Sequence, residues 1–439
     1  MAPRPDRLSS TNSCVVNFRE SEAYLLSLGN EVETMKLGLE NIRTLLAALG
    51  NPENSYKKVQ VAGTNGKGSV CAFLNSICLE AGIKTGLFTS PHLVSITERI
   101  RIDGRDINED EFARLATRVR ETAEKLVTEG SLETVPTYFE QVTAIALVAF
   151  AEANVQLAIL ETGLGGRYDA TTAANAEIAA ITRIDLDHQE YLGNTIEEIA
   201  AEKAAIIQEG SKAVVGEQSD DALAVILEQC LTNGVVPKLA TQVRTARVSG
   251  WLSFETEIAE YRVNEPGLVG AHQIENAGIA VLLAETLSEQ FPITNENIID
   301  GLQNARHPGR LEWMDKFLFD GAHNPAGAKA LRAYLDEFVH QPITMIFGAM
   351  SDKNIAGIAE MLFPIADTLI LTKPENSRAM SVDELSKHLP ADFDLGKVIR
   401  SDSVSDAVLG VRNVTPSDGI ILVTGSLYLI GEVKRLLNN

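Results

Sequence analysis

The segment VAGTNGKGSV at residues 61–70 combines glycines, one lysine and hydroxyl side chains in a spacing that suits phosphate binding. It departs from the common loop G-x-x-x-x-G-K-[ST], because Gly68 follows Lys67 and the hydroxyl comes one residue later, at Ser69. The glycines would let the backbone approach an anion, and Lys67 would reach the β- and γ-phosphates. Thr64 or Ser69 would then contact phosphate or a cation. A glycine turn with a solvent-exposed lysine is the simpler alternative.

Three further polar side chains follow apolar runs of the kind found in buried parallel strands. Ser90 comes after KTGLFT, Glu161 ends VQLAILE, and His188 follows ITRIDLD. Because the carboxyl ends of strands face the ligand crevice of an open α/β sheet, we expect these groups beside the glycine loop. A hydroxyl and a carboxylate there suit a hard cation such as Mg²⁺. Taken singly, each segment is also compatible with an ordinary turn or, for Glu161, with a buried acid whose hydrogen bonds are satisfied.

Other candidate residues lie further along the chain. Lys203 sits on the predicted helix TIEEIAAEKAAII, where a lone lysine would carry little meaning. HPGR supplies Arg310, FDGAHNP supplies Asp320 and His323, and TGS supplies Ser426, which we expect to be exposed at its turn. These groups are expected at the edge of a second domain, facing the first across a cleft.

The elements that position these residues alternate between strands and helices from residue 58 onward. Asn108 is expected to cap one helix, and Asn324 is expected to cap another, with proline at the first helical position. In residues 240–265, polar and apolar residues alternate and some are aromatic, which indicates a separate segment of antiparallel strands. At RHPGR, residues 306–310, proline and glycine end the preceding helix, and a second series of alternating strands and helices begins. The sequence therefore predicts an α/β protein with a boundary near residue 306, after which the second set of strands and helices forms a doubly wound domain.

Bulk composition narrows the classes of function. The chain has 439 residues, 45% hydrophobic and 22% charged, with a formal net charge of −22. This acidity argues against a nucleic-acid partner and against docking on an anionic membrane. The longest apolar run, residues 142–151, is too short to span a bilayer and is predicted as a buried helix. The polar N-terminus lacks the apolar core of a secretory signal peptide. The four cysteines are predicted to be reduced thiols of a cytoplasmic protein.

The motifs occur together in the order of a known family. VAGTNGKGSV, TSPHL, LETGLGGRYDAT, LDH, AEKAAI, HPGRLE, DGAHNP and TGSLY resemble folylpolyglutamate synthase/dihydrofolate synthase, a branch of the Mur ligase superfamily, over roughly residues 35–435. GTNGKGS is the loop variant that this superfamily uses, which accounts for the late hydroxyl. The resemblance implies an N-terminal P-loop ATPase domain of Mur-ligase type, residues 1–305, and a C-terminal Rossmann-like α/β domain, residues 306–439. Residues 1–34 match nothing and are taken as an uncertain extension.

The resemblance also implies a role for each matching residue. The ATP site would comprise Thr64, Asn65, Gly66, Lys67, Gly68, Ser69, Asn276, Arg310 and Asp320. The metal ligands would be Ser90, Glu161 and His188, with a carbamate on Lys203 completing the shell. The side chains near the pterin would be Thr137, Tyr138, Phe139, Glu140, Tyr168, Asp169 and Ala170, with His323 and Ser426 near the incoming glutamate. Lys67, Lys203 and His323 would be the catalytic residues.

The implied reaction joins L-glutamate to 7,8-dihydropteroate and to the γ-carboxyl of tetrahydrofolates. It would consume ATP, pass through an acyl phosphate, and require Mg²⁺, with K⁺ as a further cation that the family allows. The partners would be these small molecules, and the enzyme would be a monomer.

Three alternatives stay open on the sequence alone. The chain is also compatible with a folylpolyglutamate synthase of single activity, or with another Mur-type ligase that acts on cell-wall or poly-amino-acid substrates. ETGLGGRYDAT and DGAHNP favour the folate branch. A regulatory nucleotide switch is the alternative from another class, but the chain lacks an N-K-x-D guanine signature and retains Glu161, His188 and Lys203.

Overall fold

A computed structural model describes residues 17–29, 38–391 and 393–438. Within these ranges the strands form three sheets, of eight, three and six strands. The predicted polar N-terminal extension lies mostly outside the described residues, as does Cys14. The other three cysteines are buried and free. No described helix has both the length and the apolar composition needed to cross a membrane.

The eight-stranded sheet carries the glycine loop. Its strands in chain order are β1 Lys57–Ala62, β2 Thr85–Phe88, β3 Ile100–Ile102, β4 Arg105–Asp106, β5 Leu157–Glu161, β6 Ile178–Ile181, β7 Lys212–Val215 and β8 Lys238–Leu239. Their spatial order is β4-β3-β2-β5-β1-β6-β7-β8. The strands β2, β5, β1, β6, β7 and β8 run parallel, whereas β3 and β4 pair antiparallel at one edge. The strands β2, β5, β1 and β6 are therefore direct neighbours, so the segments that follow them meet at one edge.

Helices cover both faces of this sheet. They are α1 Phe18–Ser27, α2 Glu40–Ala48, α3 Lys67–Glu80, α4 Glu109–Thr128, α5 Tyr138–Glu152, α6 Gln189–Leu192, α7 Ile196–Ala204, α8 Asp220–Thr232, α9 Ala271–Leu287 and α10 Asn295–Asn304. Phe73 on α3 packs with α9 and α10 in one fully buried cluster, whereas Phe150 on α5 belongs to a second cluster with α2 and α4. Burying a side chain of this size contributes about 2 kcal/mol to stability. These two cores hold the strand ends in place.

Most of the predicted local structure is confirmed. Asn108 caps α4 by accepting from the amide of Glu111 at 2.8 Å. Residues 244–263 form the predicted antiparallel segment as a three-stranded sheet of β9 Arg244–Val248, β10 Trp251–Glu255 and β11 Glu260–Val263. The predicted buried helix over residues 142–151 lies within α5.

The second unit follows the HPGR segment. Its elements are β12 Glu312–Met314, β13 Phe317–Asp320, α11 Pro325–Phe338, β14 Ile343–Phe347, α12 Ile355–Leu362, β15 Thr368–Leu371, α13 Val382–Ser386, β16 Val398–Arg400, α14 Val404–Val414, β17 Ile420–Thr424 and α15 Leu427–Asn438. The strand order is β12-β13-β17-β14-β15-β16, parallel except at β12, an antiparallel edge strand that sequence reasoning missed. Asn324 caps α11 with Pro325 at its first position, as predicted. The domain boundary near residue 306 stays a prediction.

A loop of the first unit is packed tightly onto the last helix of the second. Leu93, in the segment after β2, packs against the apolar cluster between β17, α14 and α15. A Cβ atom built on Gly431 of α15 would lie 1.7 Å from the Leu93 carbonyl oxygen, so only glycine fits there without a shift. The two units therefore meet backbone to backbone close to Ser90.

Candidate active site

A cavity of about 190 Å³ lies between the carboxyl edge of the large sheet and the second unit. It brings together many of the residues that the sequence singled out. Those on its wall are Thr64, Lys67, Ser90, Thr137, Phe139, Glu140, Tyr168, Asp169, Ala170, His188, Lys203, His323 and Ser426. Segments separated by more than 300 positions in the chain thus contribute to one site.

Other predicted residues lie elsewhere. A second cavity of about 40 Å³ adjoins the first, because Ser90, Pro91 and Leu427 line both, and its wall includes Glu161 and Arg310. Neither cavity wall includes the predicted residues Asn65, Gly66, Gly68, Ser69, Tyr138, Asn276 and Asp320.

The glycine loop ends at the N-terminus of α3, as a phosphate cradle would. Gly66 has φ +91°, a conformation that favours glycine, and it precedes the helix directly. The first helical amide to bond within the helix is that of Val70, to the Gly66 carbonyl at 2.9 Å. The amides of the first helical turn therefore have no partner inside the helix and are available to an anion.

Lys67 is directed at the loop and not at a carboxylate. Its Nζ donates to the carbonyl oxygens of Gly63 at 3.0 Å and Thr64 at 3.3 Å. Burial lowers the pKa of Lys67, while Glu161 and Asp187 act in the opposite sense. Because no described carboxylate lies within ion-pair distance of Nζ, its charge is available to a ligand.

The rest of the loop is held by the segment after β6. Thr64 Oγ1 donates to the Asp185 carbonyl at 3.0 Å and accepts from the Asp185 amide at 3.1 Å. Asn65 Nδ2 donates to the Asp185 carboxylate at 3.0 Å. In this arrangement, Asn65 and the Thr64 hydroxyl position the loop.

The candidate metal ligands lie at the carboxyl ends of three parallel strands of the large sheet, β2, β5 and β6, as predicted. Glu161 is buried and accepts from the Ser90 amide at 3.1 Å. Burial lowers the pKa of His188 to about 4, so this imidazole is neutral at pH 7 and able to ligate a metal. Among the described residues, no three His, Cys, Asp or Glu side chains gather closely enough to hold a metal by themselves. The donor set fits a divalent cation only when the Ser90 hydroxyl and a modified Lys203 are added.

Lys203 has the environment that such a modification needs. Its side chain is 4% exposed, and Nζ donates to the Gly63 carbonyl at 2.9 Å. Burial, assisted by the nearby Lys67 charge, lowers the pKa of Lys203 to about 7. A large fraction of the amine is therefore uncharged and nucleophilic at neutral pH.

A buried ion pair that sequence reasoning missed joins the two units. Lys353 Nζ lies 2.8 Å from Asp187 Oδ1, and both side chains are at most 10% exposed. Burial alone would raise the pKa of Asp187, but Lys353, His188 and His323 together outweigh this effect and hold that pKa below its usual range. His323 Nε2 is 3.8 Å from the same carboxylate, and Asn324 Nδ2 donates to Asn65 Oδ1 at 3.1 Å. The ion pair thus closes the cavity from the side of the second unit.

Breaking this pair is expected to destabilise the protein. Asp187→Asn or Lys353→Met alone should each cost about 3 kcal/mol, because each leaves one buried charge without its partner. The double variant should cost less than the sum of the two, which a double-mutant cycle on calorimetric melting would measure. Asp336→Asn, which breaks an exposed pair with Arg332, is the matched control and should have an effect below about 1 kcal/mol. Strict additivity of the two buried substitutions would contradict the predicted coupling.

The polar side chains of the second unit differ in whether they are free to contact a ligand. Both carboxylate oxygens of Asp320 accept backbone amides, from Leu311 and from Ala322, each at 3.0 Å. His323 Nδ1 lies 2.8 Å from the Gly321 carbonyl, and burial lowers the pKa of His323 to about 4. His323 therefore faces the cavity as a neutral imidazole with Nε2 directed toward Asp187.

The expectation that Ser426 is exposed is wrong. Its side chain is 3% exposed, at the turn between the end of β17 and the start of α15. Ser426 Oγ accepts from the Tyr428 amide at 3.1 Å and still lies on the cavity wall. Arg378, a second residue that the sequence did not single out, lies on the same wall with its guanidinium 5.9 Å from the Tyr428 ring.

The opposite end of the cavity is formed by the start of α5 and the glycine loop after β5. Thr137 caps α5, and the Glu140 carboxylate accepts from the Thr137 amide at 2.7 Å. Phe139 faces the cavity, whereas Tyr138 is buried beside the Arg99 guanidinium and not on the wall. The Asp169 carboxylate accepts the amides of residues 163, 164 and 171, so it shapes the loop. Phe139 and the half-exposed Tyr168 give this end an aromatic character that suits a flat ring.

Two family models match the chain. The Mur ligase middle domain matches residues 61–284, and the Mur ligase glutamate ligase domain matches residues 309–427. Together they cover both units.

Curated relatives match along nearly the whole chain. A protein of Bacillus subtilis described as dihydrofolate synthase/folylpolyglutamate synthase is 34% identical over 92% of this chain and 95% of its own length. A protein of Halobacterium salinarum, described as "Probable bifunctional folylpolyglutamate synthase/dihydropteroate synthase", is 37% identical over 95% of this chain. The chain spans 51% of the length of that second relative.

Solved structures match with the same extent. The FolC structure from E. coli in complex with DHPP and ADP superposes with a TM-score of 0.85 at 29% identity, covering 96% of this chain and 98% of that one. A bifunctional folylpolyglutamate synthase/dihydrofolate synthase with Mn, AMPPNP and L-glutamate bound gives a TM-score of 0.85 at 29% identity, over 97% and 98% of the two chains.

Proposed function

The chain belongs to the Mur ligase family, in its folylpolyglutamate synthase/dihydrofolate synthase branch, and we propose that it catalyses both reactions of this branch. It would join L-glutamate to 7,8-dihydropteroate and to the γ-carboxyl of reduced folates, with ATP converted to ADP and phosphate. The observation that carries this proposal is the single cavity in which Lys67, Phe139 and His323 meet. A phosphate loop, an aromatic end and the glutamate ligase domain thus share one space.

The chemistry follows from the weakness of a carboxylate as an acyl donor. The acceptor carboxylate attacks the γ-phosphorus of ATP, which forms an acyl phosphate and releases ADP. The glutamate amine then attacks the acyl carbon, the amine loses a proton, and phosphate leaves. Neither step needs a covalent bond to the protein, so catalysis consists of positioning and charge stabilisation.

We assign each residue a role in binding or proton transfer from its position in the cavity. Lys67 and the amides at the start of α3 would hold the phosphates, and Arg310 would add a second positive charge. Ser90, Glu161, His188 and a carbamylated Lys203 would hold the divalent cation. When bound, that cation neutralises charge on the transferred phosphoryl group. His323, neutral and facing the cavity, is able to accept the proton that the glutamate amine loses.

Substrate orientation follows from the two ends of the cavity. Phe139 and Tyr168 would stack on the pterin, whereas Ser426 and the Arg378 guanidinium would face the carboxylates of the incoming glutamate. A ligase for larger cell-wall precursors shares the phosphate loop but has no need of this aromatic end. We propose a monomeric enzyme of the cytoplasm, in keeping with the sequence prediction.

The test is release of ADP in the presence of ATP, Mg²⁺ and L-glutamate, with 7,8-dihydropteroate and a tetrahydrofolate as separate acceptors. Turnover with both acceptors is expected, and mass spectrometry should find one added glutamate in each product. ADP release without glutamate serves as the control for uncoupled hydrolysis. Turnover with one acceptor would restrict the protein to a single activity. Absence of glutamylation of either acceptor would overturn the folate assignment, and cell-wall precursors would be tested next.

A further inference from the structure

His307 lies in the connection between the two units, and its imidazole reaches the N-terminus of α3. A Cβ atom built on Gly68 would lie 2.5 Å from His307 Nε2 and 3.3 Å from Glu161 Oε1. The ring therefore contacts the helix where the free amides are, next to a candidate metal ligand. Its side chain is partly buried, yet no hydrogen bond joins either ring nitrogen to the described part of the chain.

Arg310, three residues further on, is in a similar situation. Its guanidinium forms no hydrogen bond or ion pair with the described residues, although it is only partly exposed. It lines the second cavity together with His307, and this cavity joins the main one at Ser90. Two donors without partners therefore face one small space at the start of α3.

The wall of this space carries both signs of charge, since the Glu161 carboxylate, a candidate metal ligand, lies on it beside the Arg310 guanidinium. Arg310 and Arg101 both lie on the wall, although Arg101 Nε is bonded to Asp106 at 2.7 Å. The Glu98 carboxylate, also on the wall, is occupied by backbone amides, two of which donate to Oε1 at 2.8 and 2.9 Å. The amides of the first turn of α3 add partial positive charge. A phosphate group fits these donors.

We propose that His307 is a further nucleotide-binding residue, which donates Nε2–H to a phosphate of the bound nucleotide at the start of α3, beside Arg310. This inference rests on the proposed function, because it requires that the protein bind ATP and ADP. It adds a contact from the connection between the units, so that phosphate binding would fix the connection against the glycine loop.

The test is isothermal titration calorimetry of the full chain with ADP, without divalent metal and again with Mn²⁺, and with adenosine. His307→Phe retains a ring but no donor, and His307→Gln retains a donor. ADP should bind His307→Phe about fivefold to tenfold more weakly in both metal conditions, and His307→Gln should recover part of the loss. Adenosine, which has no phosphate, should bind all variants equally. His340→Phe, at an exposed site, is the control.

Several outcomes would overturn the proposal. Unchanged ADP affinity of His307→Phe would exclude the contact, and an equal loss for adenosine would assign the ring to the nucleoside or to the fold. A loss seen only with Mn²⁺ would assign it to the metal. If the unmodified protein binds no ADP at all, the proposed function itself fails, which is distinct from failure of the His307 contact.

Discussion

Replacing Lys67 by alanine is expected to lower kcat by about 100- to 1000-fold, the loss typical when one charged donor to a transition state is removed. Lys67 Nζ donates to the carbonyl oxygens of Gly63 and Thr64 and forms no ion pair with a carboxylate of the described residues. The transferred phosphoryl group would be the partner that the charge lacks. Steady-state ADP release with 7,8-dihydropteroate and L-glutamate measures the effect.

The controls for Lys67 separate the charge from the fold. Lys125→Ala removes a lysine whose side chain is 70% exposed and should leave kcat within twofold of the unmodified protein. Circular dichroism and the melting temperature of Lys67→Ala should stay close to those of the parent, since helix α3 begins with backbone groups. A rate for Lys67→Ala that is within tenfold of the parent would remove the phosphate role from this lysine.

Replacing Lys203 by alanine is expected to lower kcat by about 100-fold or more, because the candidate metal shell would lose an anionic ligand. The free amine adds to CO₂ with loss of a proton and becomes a carbamate, which turns a buried cation into an anion. With ¹³C-labelled bicarbonate, the parent protein should give a carbamate signal in ¹³C NMR, and Lys203→Ala should give none. Since the pKa of Lys203 is about 7, the rate of carbamate formation should fall as the pH is lowered through 7.

Lys58 offers a matched control for Lys203. Its side chain is 5% exposed, but it lies at the other end of β1, where Nζ donates to the carbonyls of Glu53 at 2.9 Å and Tyr56 at 3.3 Å. Lys58→Ala should lower stability without changing the carbamate signal. Persistence of that signal in Lys203→Ala, or a parent-like kcat for that variant, would refute the assignment.

The arrangement of the candidate metal ligands could be predicted because it follows from strand topology. Ser90, Glu161 and His188 each follow a parallel strand, and such strands present their carboxyl ends at one edge of the sheet. The spatial order could not be read from the sequence, since β1 inserts between β5 and β6. The assigned roles of these residues stay predictions.

What the sequence did not reveal depends on packing between distant segments. Lys353 is 166 positions from Asp187, and nothing in its local segment distinguishes it from a solvated lysine. Tyr138 and Phe139 differ in their direction because the rotation of α5 about its axis decides which side chain enters the cavity.

The close fit between Gly431 and the Leu93 carbonyl has a consequence for protein engineering. A chimera that combines the second unit of this protein with the first unit of a relative would keep the notch at Gly431 of α15, where a loop backbone packs directly against the helix. A partner loop of a different length would collide there, or leave the notch empty, whatever its catalytic residues. Compatibility at this point, more than overall sequence similarity, would decide whether exchanged halves assemble into a working enzyme.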